Sequence, residues 1–199
     1  MARYTGPKHK LARREGINIL GKTSASLDRR INVIPGLHSK RRGRKLSEYG
    51  IQLREKQKLK RIYGLMEKQF SKYVSLAQKA KINTEEALIQ LLESRLDNVV
   101  YRLGFAKSRA MARQFVSHRH VLVNGKKINI PSYQVRENDT LVLLDKIAKD
   151  EILNQYIEEA QTLEFVKKQG TSGTFLRYPT KDEVANPVDY QLVIEFYSR

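Results

Sequence analysis

Apolar residues keep a helical period through the middle of the chain and alternate only in short runs further on. Leu88, Leu91, Leu92, Leu96, Val99, Val100 and Leu103 hold that period without a gap, which marks a core-facing stripe. Asn83-Thr84-Glu85-Glu86 reads as a capping box ahead of it, with Asn83 as the cap and Glu86 at the third helical position. Gly104 supplies the stop. The pattern therefore predicts one helix from Asn83 to Leu103, with Arg95, Asn98 and Arg102 as a polar stripe at its margin. Two helices precede it. One starts at Ser47, a good N-cap, and runs to about Tyr63. The next runs from about Leu65 to Ala80 and turns Met66, Phe70, Tyr73, Val74 and Ala77 inward. A shorter helix from Ser108 to about Ser117 buries Met111, Phe115 and Val116.

Beyond it the period changes to two. Val121–Val123 and Lys126–Ile128 flank Asn124-Gly125, the signature of a hairpin with a type I′ turn. A strand over about Thr140–Leu144 follows the Glu137-Asn138-Asp139 turn. Residues 148–168 predict an acidic amphipathic helix built on Ile152, Leu153, Tyr156, Ile157, Ala160 and Leu163, ended by Gly170. Thr174–Tyr178 and Gln191–Tyr197 alternate as strands. Residues 1–46, broken by Gly6-Pro7, Gly16, Gly21, Pro35-Gly36 and Gly43, show no period.

Charge separates these segments more sharply than hydropathy does. The 199-residue chain carries 38 Lys and Arg against 21 Asp and Glu, a net charge of +17. Residues 1–61 hold 18 basic and 4 acidic side chains, so +14 lies in the first third. Solubility needs a net charge of only about 2–8. An excess this concentrated is the electrostatic footprint of a polyanion partner, nucleic acid first. Lys40, Arg41, Arg42, Arg44 and Lys45 form the densest knot. Arg54, Lys58 and Arg61 recur as one cationic stripe along their helix, with Gln52 and Gln57 beside it. Arg109 and Arg113 are expected to share a single exposed face. Tyr4, Tyr49, Tyr63 and Tyr133 lie near basic residues, placed either for stacking on bases or for packing.

Composition also narrows the chemistry. Cysteine is absent, which excludes disulfides, thiol catalysis and Cys-ligated metal sites. No run approaches the roughly 18 apolar residues a membrane span needs. The N-terminus lacks the apolar core of a secretory signal, so the cytoplasm is the expected compartment. Gly16-Ile17-Asn18-Ile19-Leu20-Gly21-Lys22-Thr23 matches the Walker A pattern, and Leu141–Asp145 resembles a Walker B strand. A P-loop must leave a buried strand and open a helix. Lys8–Glu15 is no buried strand, and Ser24–Arg30 allows at most two turns before Pro35. His118 and His120 lack nearby acidic partners for a metal and read as polar contacts to RNA or surface residues. Asp97 reads as a charge partner of Arg95 and Arg102. No catalytic constellation, metal set, cofactor or small-molecule substrate is expected.

Specific stretches go beyond these generalities. Leu92–Gly104 (LESRLDNVVYRLG), Ser108–His118 (SRAMARQFVSH), Val123-Asn124-Gly125 and Ile130-Pro131-Ser132-Tyr133 resemble the RNA-binding module of the small-subunit ribosomal protein S-four family. Met1–Pro7, Leu46–Lys58 and Val193–Arg199 are similar to the same family, so the resemblance covers nearly the whole chain. It implies an α+β fold. A basic N-terminal extension would occupy 1–46. A helical domain over 47–92 would be completed by 171–199. An inserted RNA-binding module of two helices and a small antiparallel β-sheet, with the acidic helix after it, would occupy 93–170. It further implies a non-catalytic constituent of the small ribosomal subunit. Such a protein is a primary binder of the 16S rRNA 5′ domain, nucleates assembly of the subunit body and contacts neighbouring ribosomal proteins at an interface linked to accuracy. The knot Lys40–Lys45 would lie near the mRNA entry. Some relatives also regulate their own mRNA or act in antitermination. The module alone also occurs in a free RNA chaperone and in RNA-modifying enzymes, which leaves an off-ribosome RNA binder as the rival reading. Many relatives place four cysteines in the N-terminal region; this chain has none, so rRNA contacts or local packing must order it.

The expected RNA contacts are Arg3, Tyr4, Lys8, Lys10, Arg13 and Arg14 in the extension, with Lys40, Arg41, Arg42, Arg44 and Lys45. Tyr49, Gln52, Arg54, Lys56, Lys58 and Arg61 add to them on the first long helix. The module contributes Arg95, Arg102, Lys107, Arg109, Arg113, His118, Arg119, His120, Asn124, Lys126 and Tyr133.

Overall fold

The structure, a computed structural model, describes residues 4–21, 24–36, 45–144, 147 and 151–198. The chain divides into two compact units, Met1–Leu76 with Asn186–Arg199, and Ala77–Ala185.

In the first unit, helices α1 (Lys8–Glu15) and α2 (Ala25–Asp28) replace the irregular chain expected before residue 46. Gly16 closes α1 at φ +71°, and the Ser24 hydroxyl caps α2 by accepting from the Leu27 amide. Local capping thus makes short helices where the glycines hide any period. The knot Lys40–Arg44 lies outside the described residues. Helix α3 (Glu48–Ile62) starts at the predicted Ser47 cap, whose Oγ accepts from the Gly50 amide at 3.3 Å. Helix α4 (Glu67–Gln78) follows, burying Phe70 and Val74.

The segment read as a terminal strand is a helix. Asp189 accepts from the Gln191 and Leu192 amides and starts the helix that spans Tyr190–Tyr197. Its β-rich composition yields to that cap and to a groove on α3, where Tyr190 and Val193 are buried three residues apart. Asn186 bridges the Tyr63 and Tyr190 hydroxyls at 3.0 and 2.8 Å, so buried Tyr63 is a core residue.

One carboxylate fastens the far end of this terminal helix. Glu67 accepts from Lys56 at 2.8 Å, Lys60 at 2.7 Å and the Tyr197 hydroxyl at 2.6 Å. Burial alone would raise its pKa, but the bonds from Lys56, Lys60 and Tyr197 outweigh that and hold it at about 2. A carboxylate depressed in the folded state stabilises it above the unfolded pKa, and this stabilisation fades as pH falls toward the folded value. Stability is therefore expected to drop between roughly pH 4.5 and 2. Urea titrations across that window check it: Glu67→Gln should flatten the slope, and identical slopes in the two chains would refute the assignment.

In the second unit the predicted helix from Asn83 breaks into α5 (Thr84–Glu93) and α6 (Leu96–Arg102). Asn83 caps α5 as expected, accepting from the Glu85 amide at 2.9 Å. The break arises because the loop 131–135 pairs with it. The Tyr133 and Pro131 carbonyls accept from the Leu96 and Asp97 amides, and Ser94 O accepts from the Val135 amide. Arg95 is extended there, at φ −65° and ψ 136°, and bridges Gln134. The apolar stripe runs on across it, with Leu88, Leu92, Leu96, Val99, Val100 and Leu103 all fully buried. Each such side chain contributes about 1.5–3 kcal/mol.

Helix α7 (Arg109–Ser117) is capped by Ser108. Then come β1 (Val121–Val123), β2 (Lys126–Lys127) and β3 (Thr140–Leu143), joined at the first hairpin by Asn124 and Gly125 at φ +49° and +77°, as a type I′ turn requires. The acidic helix is shorter than its pattern suggested. Its described part, here α8, is Glu151–Glu159. Residues 166–169 and 172–175 instead form β4 (Val166–Gln169) and β5 (Ser172–Phe175), a hairpin that turns at Gly170, which is therefore not a helix stop. Lys168 on β4 donates to the Ile157 and Ala160 carbonyls at the open end of α8, the latter at 2.6 Å. The strands lie in the order β2-β1-β3-β5-β4, every pair antiparallel. One face of this sheet packs on α6 and α7 through Val121, Val123, Leu141, Leu143, Val166 and Phe175. The fold is α+β, as the sequence indicated.

Candidate nucleic-acid interface

The Walker-like stretch has the wrong surroundings. Gly16 ends a helix and follows no strand, and after Gly21 the next helix, α2, begins only at Ala25. Lys22 and Thr23 lie outside the described residues. Leu141–Leu143 sits in β3, antiparallel to both neighbours, whereas a P-loop sheet is parallel.

In the first unit the expected contacts fall into two groups. Tyr4, Lys8, Lys10, Arg14, Lys45 and Tyr49 are exposed, and Tyr49 lies 5.5 Å from the Phe196 ring. Arg3, Lys40, Arg41, Arg42 and Arg44 lie outside the described residues. The stripe on α3 is not a free cationic face, because acidic groups of this unit engage it. Arg61 binds Glu15 at 2.6 Å, with Arg54 3.7 Å from the same carboxylate, whose side chain is only 2% exposed. Arg54 also donates to the Arg14 carbonyl at 2.8 Å, and Lys58 pairs with Glu55. Arg13 donates to the Val33 carbonyl at 2.9 Å. The stripe thus docks α1 onto α3 and brings the exposed cations of α1 to the surface beside it. Gln52 and Lys56 are buried, the first donating to Glu195 at 3.0 Å. The Lys56 ammonium lies 4.3 Å from the Phe196 ring centre. These two serve the terminal helix rather than solvent.

In the second unit α6 and α7 stand side by side and their polar residues interlock. Arg95 is fully buried, not marginal. Its Nε and Nη2 bind the two Asp97 oxygens at 3.1 and 2.7 Å, so Asp97 partners Arg95 as expected but not Arg102, which Glu93 takes instead. Arg113 approaches Asp97 at 4.0 Å and is half-buried. Arg102 forks onto Glu93 at 2.8 and 2.7 Å. Arg109 donates from Nε to Asn98 at 2.7 Å and lies 4.6 Å from the Tyr101 ring centre. Arg109 and Arg113 do share one side of α7, but it is the side toward α6, and both are half-buried. Lys107 is exposed on the connecting loop, 5.5 Å from the Tyr156 ring centre. Burial, together with nearby Tyr101, pushes the Tyr156 phenol's pKa up.

Further along, His118 and Arg119 are exposed and the His118 and His120 rings are 5.9 Å apart. Arg119 adopts φ +62°, a conformation few side chains accept. Lys126 is exposed at the hairpin with Lys127, which the sequence reading passed over. Asn124 is exposed, yet its amide donates to Asp139 at 2.8 Å and accepts from the Thr140 amide at 2.9 Å, so its role is to shape the turn. Tyr133 packs half-buried on the core.

The result is a rim of cations, Arg102, Arg109 and Arg113 on two interlocked helices and Lys107 on the loop that joins them, with Tyr101 beside Arg109 and Tyr156 of α8 beside Lys107. Such a rim can bind phosphates through guanidinium forks and read the shape of a folded RNA through fixed spacing. Sequence reasoning missed Tyr101, Tyr156 and Glu93, and placed Asn98 in a marginal polar stripe where the structure buries it. Tyr101 and Arg109 sit on either side of the Gly104 turn, so no periodicity links them.

Residues 3–93 match the ribosomal protein S4/S9 N-terminal domain family, and residues 94–141 match the S4 domain family. The chain is 51% identical over 211 residues to the small ribosomal subunit protein uS4 of Thermotoga maritima. It is 50% identical to that of Thermotoga petrophila and 47% identical to that of Chromobacterium violaceum. In all three cases 100% of both chains is covered.

Proposed function

The chain belongs to the uS4 family of small ribosomal subunit proteins, and from that premise we propose that it is a non-catalytic structural constituent of the subunit. It acts in the cytoplasm as a primary binder of the 16S rRNA 5′ domain, nucleates assembly of the subunit body, and contributes to translational accuracy through neighbouring ribosomal proteins. The basic knot Lys40–Lys45 approaches mRNA near its entry. The observation that carries the RNA-binding reading is the α6–α7 rim, where Arg102 and Arg109 are each held by an acidic or amide partner of their own unit and Arg113 lies 4.0 Å from Asp97. A generic polycation needs no such bracing, whereas recognition of one folded junction does. The exposed cations of the N-terminal segment add affinity through phosphate contacts and counterion release.

The test is binding to a 16S 5′-domain transcript and to an unrelated structured RNA across a salt series. Affinity for both should fall steeply with salt, on the order of 1,000-fold or more between roughly 50 and 200 mM. The preference for the 5′-domain RNA should persist at high salt. Equal affinities that collapse together would overturn the reading.

A further inference from the structure

We propose that Glu93 is a positioning residue for RNA recognition, one buried carboxylate that sets two arginines of the rim at once. The inference rests on the RNA-binding function proposed above.

Glu93 ends α5, and its side chain is 0% exposed. Oε1 and Oε2 accept a two-pronged bond from Arg102, at 2.7 and 2.8 Å. Oε2 also accepts from the Asn98 amide at 2.7 Å, and Asn98 turns its carbonyl oxygen to Arg109 Nε at 2.7 Å. The Arg109 guanidinium then lies over Tyr101, 4.6 Å from its ring centre. A chain of four side chains therefore runs from one carboxylate to two guanidinium groups on different helices.

Simple electrostatics gives such a residue the wrong sign. An acid beneath a phosphate-binding surface weakens attraction to RNA, and burying it costs free energy unless it is fully paired. Its geometry supplies the compensating benefit. Arginine side chains lose much rotamer freedom when they bind, and a fork that fixes them beforehand removes that loss from the binding step. Lysine in either place offers neither the fork nor the flat face.

The two accounts predict opposite signs. Glu93→Gln keeps the shape and deletes the charge. If Glu93 only adds negative charge, the variant binds all RNA more tightly. If it positions Arg102 and Arg109, affinity for the 5′-domain transcript falls about ten-fold, while affinity for unrelated RNA holds or rises and the salt slope is unchanged. The variant is compared at equal folded fraction, and its effect should vanish in an Arg102→Lys/Arg109→Lys background, as shared action requires. An unchanged or strengthened preference overturns the inference, and so does a ten-fold loss that persists in that background. Should Glu93→Gln fail to fold, Asn98→Ala keeps the Arg102 fork while it removes the link to Arg109 and the Asn98 amide's bonds to Glu93. A loss of about three-fold is then expected, and an unaltered preference overturns the inference. If the wild-type chain itself shows no preference, the proposed function fails; if that preference survives Glu93→Gln, only the role of Glu93 fails.

Discussion

Arg95→Met is expected to cost the second unit about 3–5 kcal/mol of stability. The arginine is fully buried, and both its prongs end on Asp97, itself 6% exposed. Removing it leaves a carboxylate in the interior with Arg113, 4.0 Å away, as its one remaining cation among the described residues. The penalty is that of the stranded charge more than of the lost bonds. The double variant Arg95→Met/Asp97→Leu should therefore recover most of the loss, because a buried pair replaced by apolar groups is often neutral. Urea unfolding of the three chains decides the matter. A single-variant loss below about 1 kcal/mol would show that water reaches Asp97 freely.

Gly104→Ala should lose about 2–5 kcal/mol by a different route. Gly104 holds φ +73°, and a Cβ there would lie 2.5 Å from the Ala160 Cβ. The left-handed backbone costs about 1–2 kcal/mol for any side chain, and forcing α8 away from the turn adds about 1–3. Gly170 provides the control. It sits at φ +58° with nothing within 4 Å of its would-be Cβ, so Gly170→Ala should show the backbone cost alone. Equal losses at the two glycines would mean that α8 yields without resistance, and Ala160→Gly should otherwise rescue Gly104→Ala in part.

The sequence reveals what depends on neighbours in the chain and hides what depends on distant ones. Ser47, Asn83 and Ser108 cap helices where the local pattern puts them, and Asn124-Gly125 makes its turn. The break at Ser94-Arg95 was invisible because the apolar stripe continues through it, while the groups that enforce it lie in 131–135. The same holds for the hairpin β4–β5, whose partner strand β3 lies about thirty residues back. The terminal helix took its conformation from Asp189 and the α3 groove against its own strand-like composition. The candidate site follows this division. Cations at the surface, such as Lys8, Lys10 and Lys107, can be found from charge alone. Gln52 and Lys56 cannot be told from them, because Glu195 and Glu67 claim them only once the chain has folded.

The docking of the terminal helix on α3 carries a timetable. Gln52 waits for Glu195, 143 residues further on, and Glu55 for Asp189, 134 residues on. At about 5–20 residues per second, α3 leaves the synthesising ribosome roughly 7 to 28 seconds before the element that closes over it. The second unit is continuous from 77 to 185 and has every one of its strands by then. The middle of this chain is thus born complete, while its beginning stays open until its end arrives.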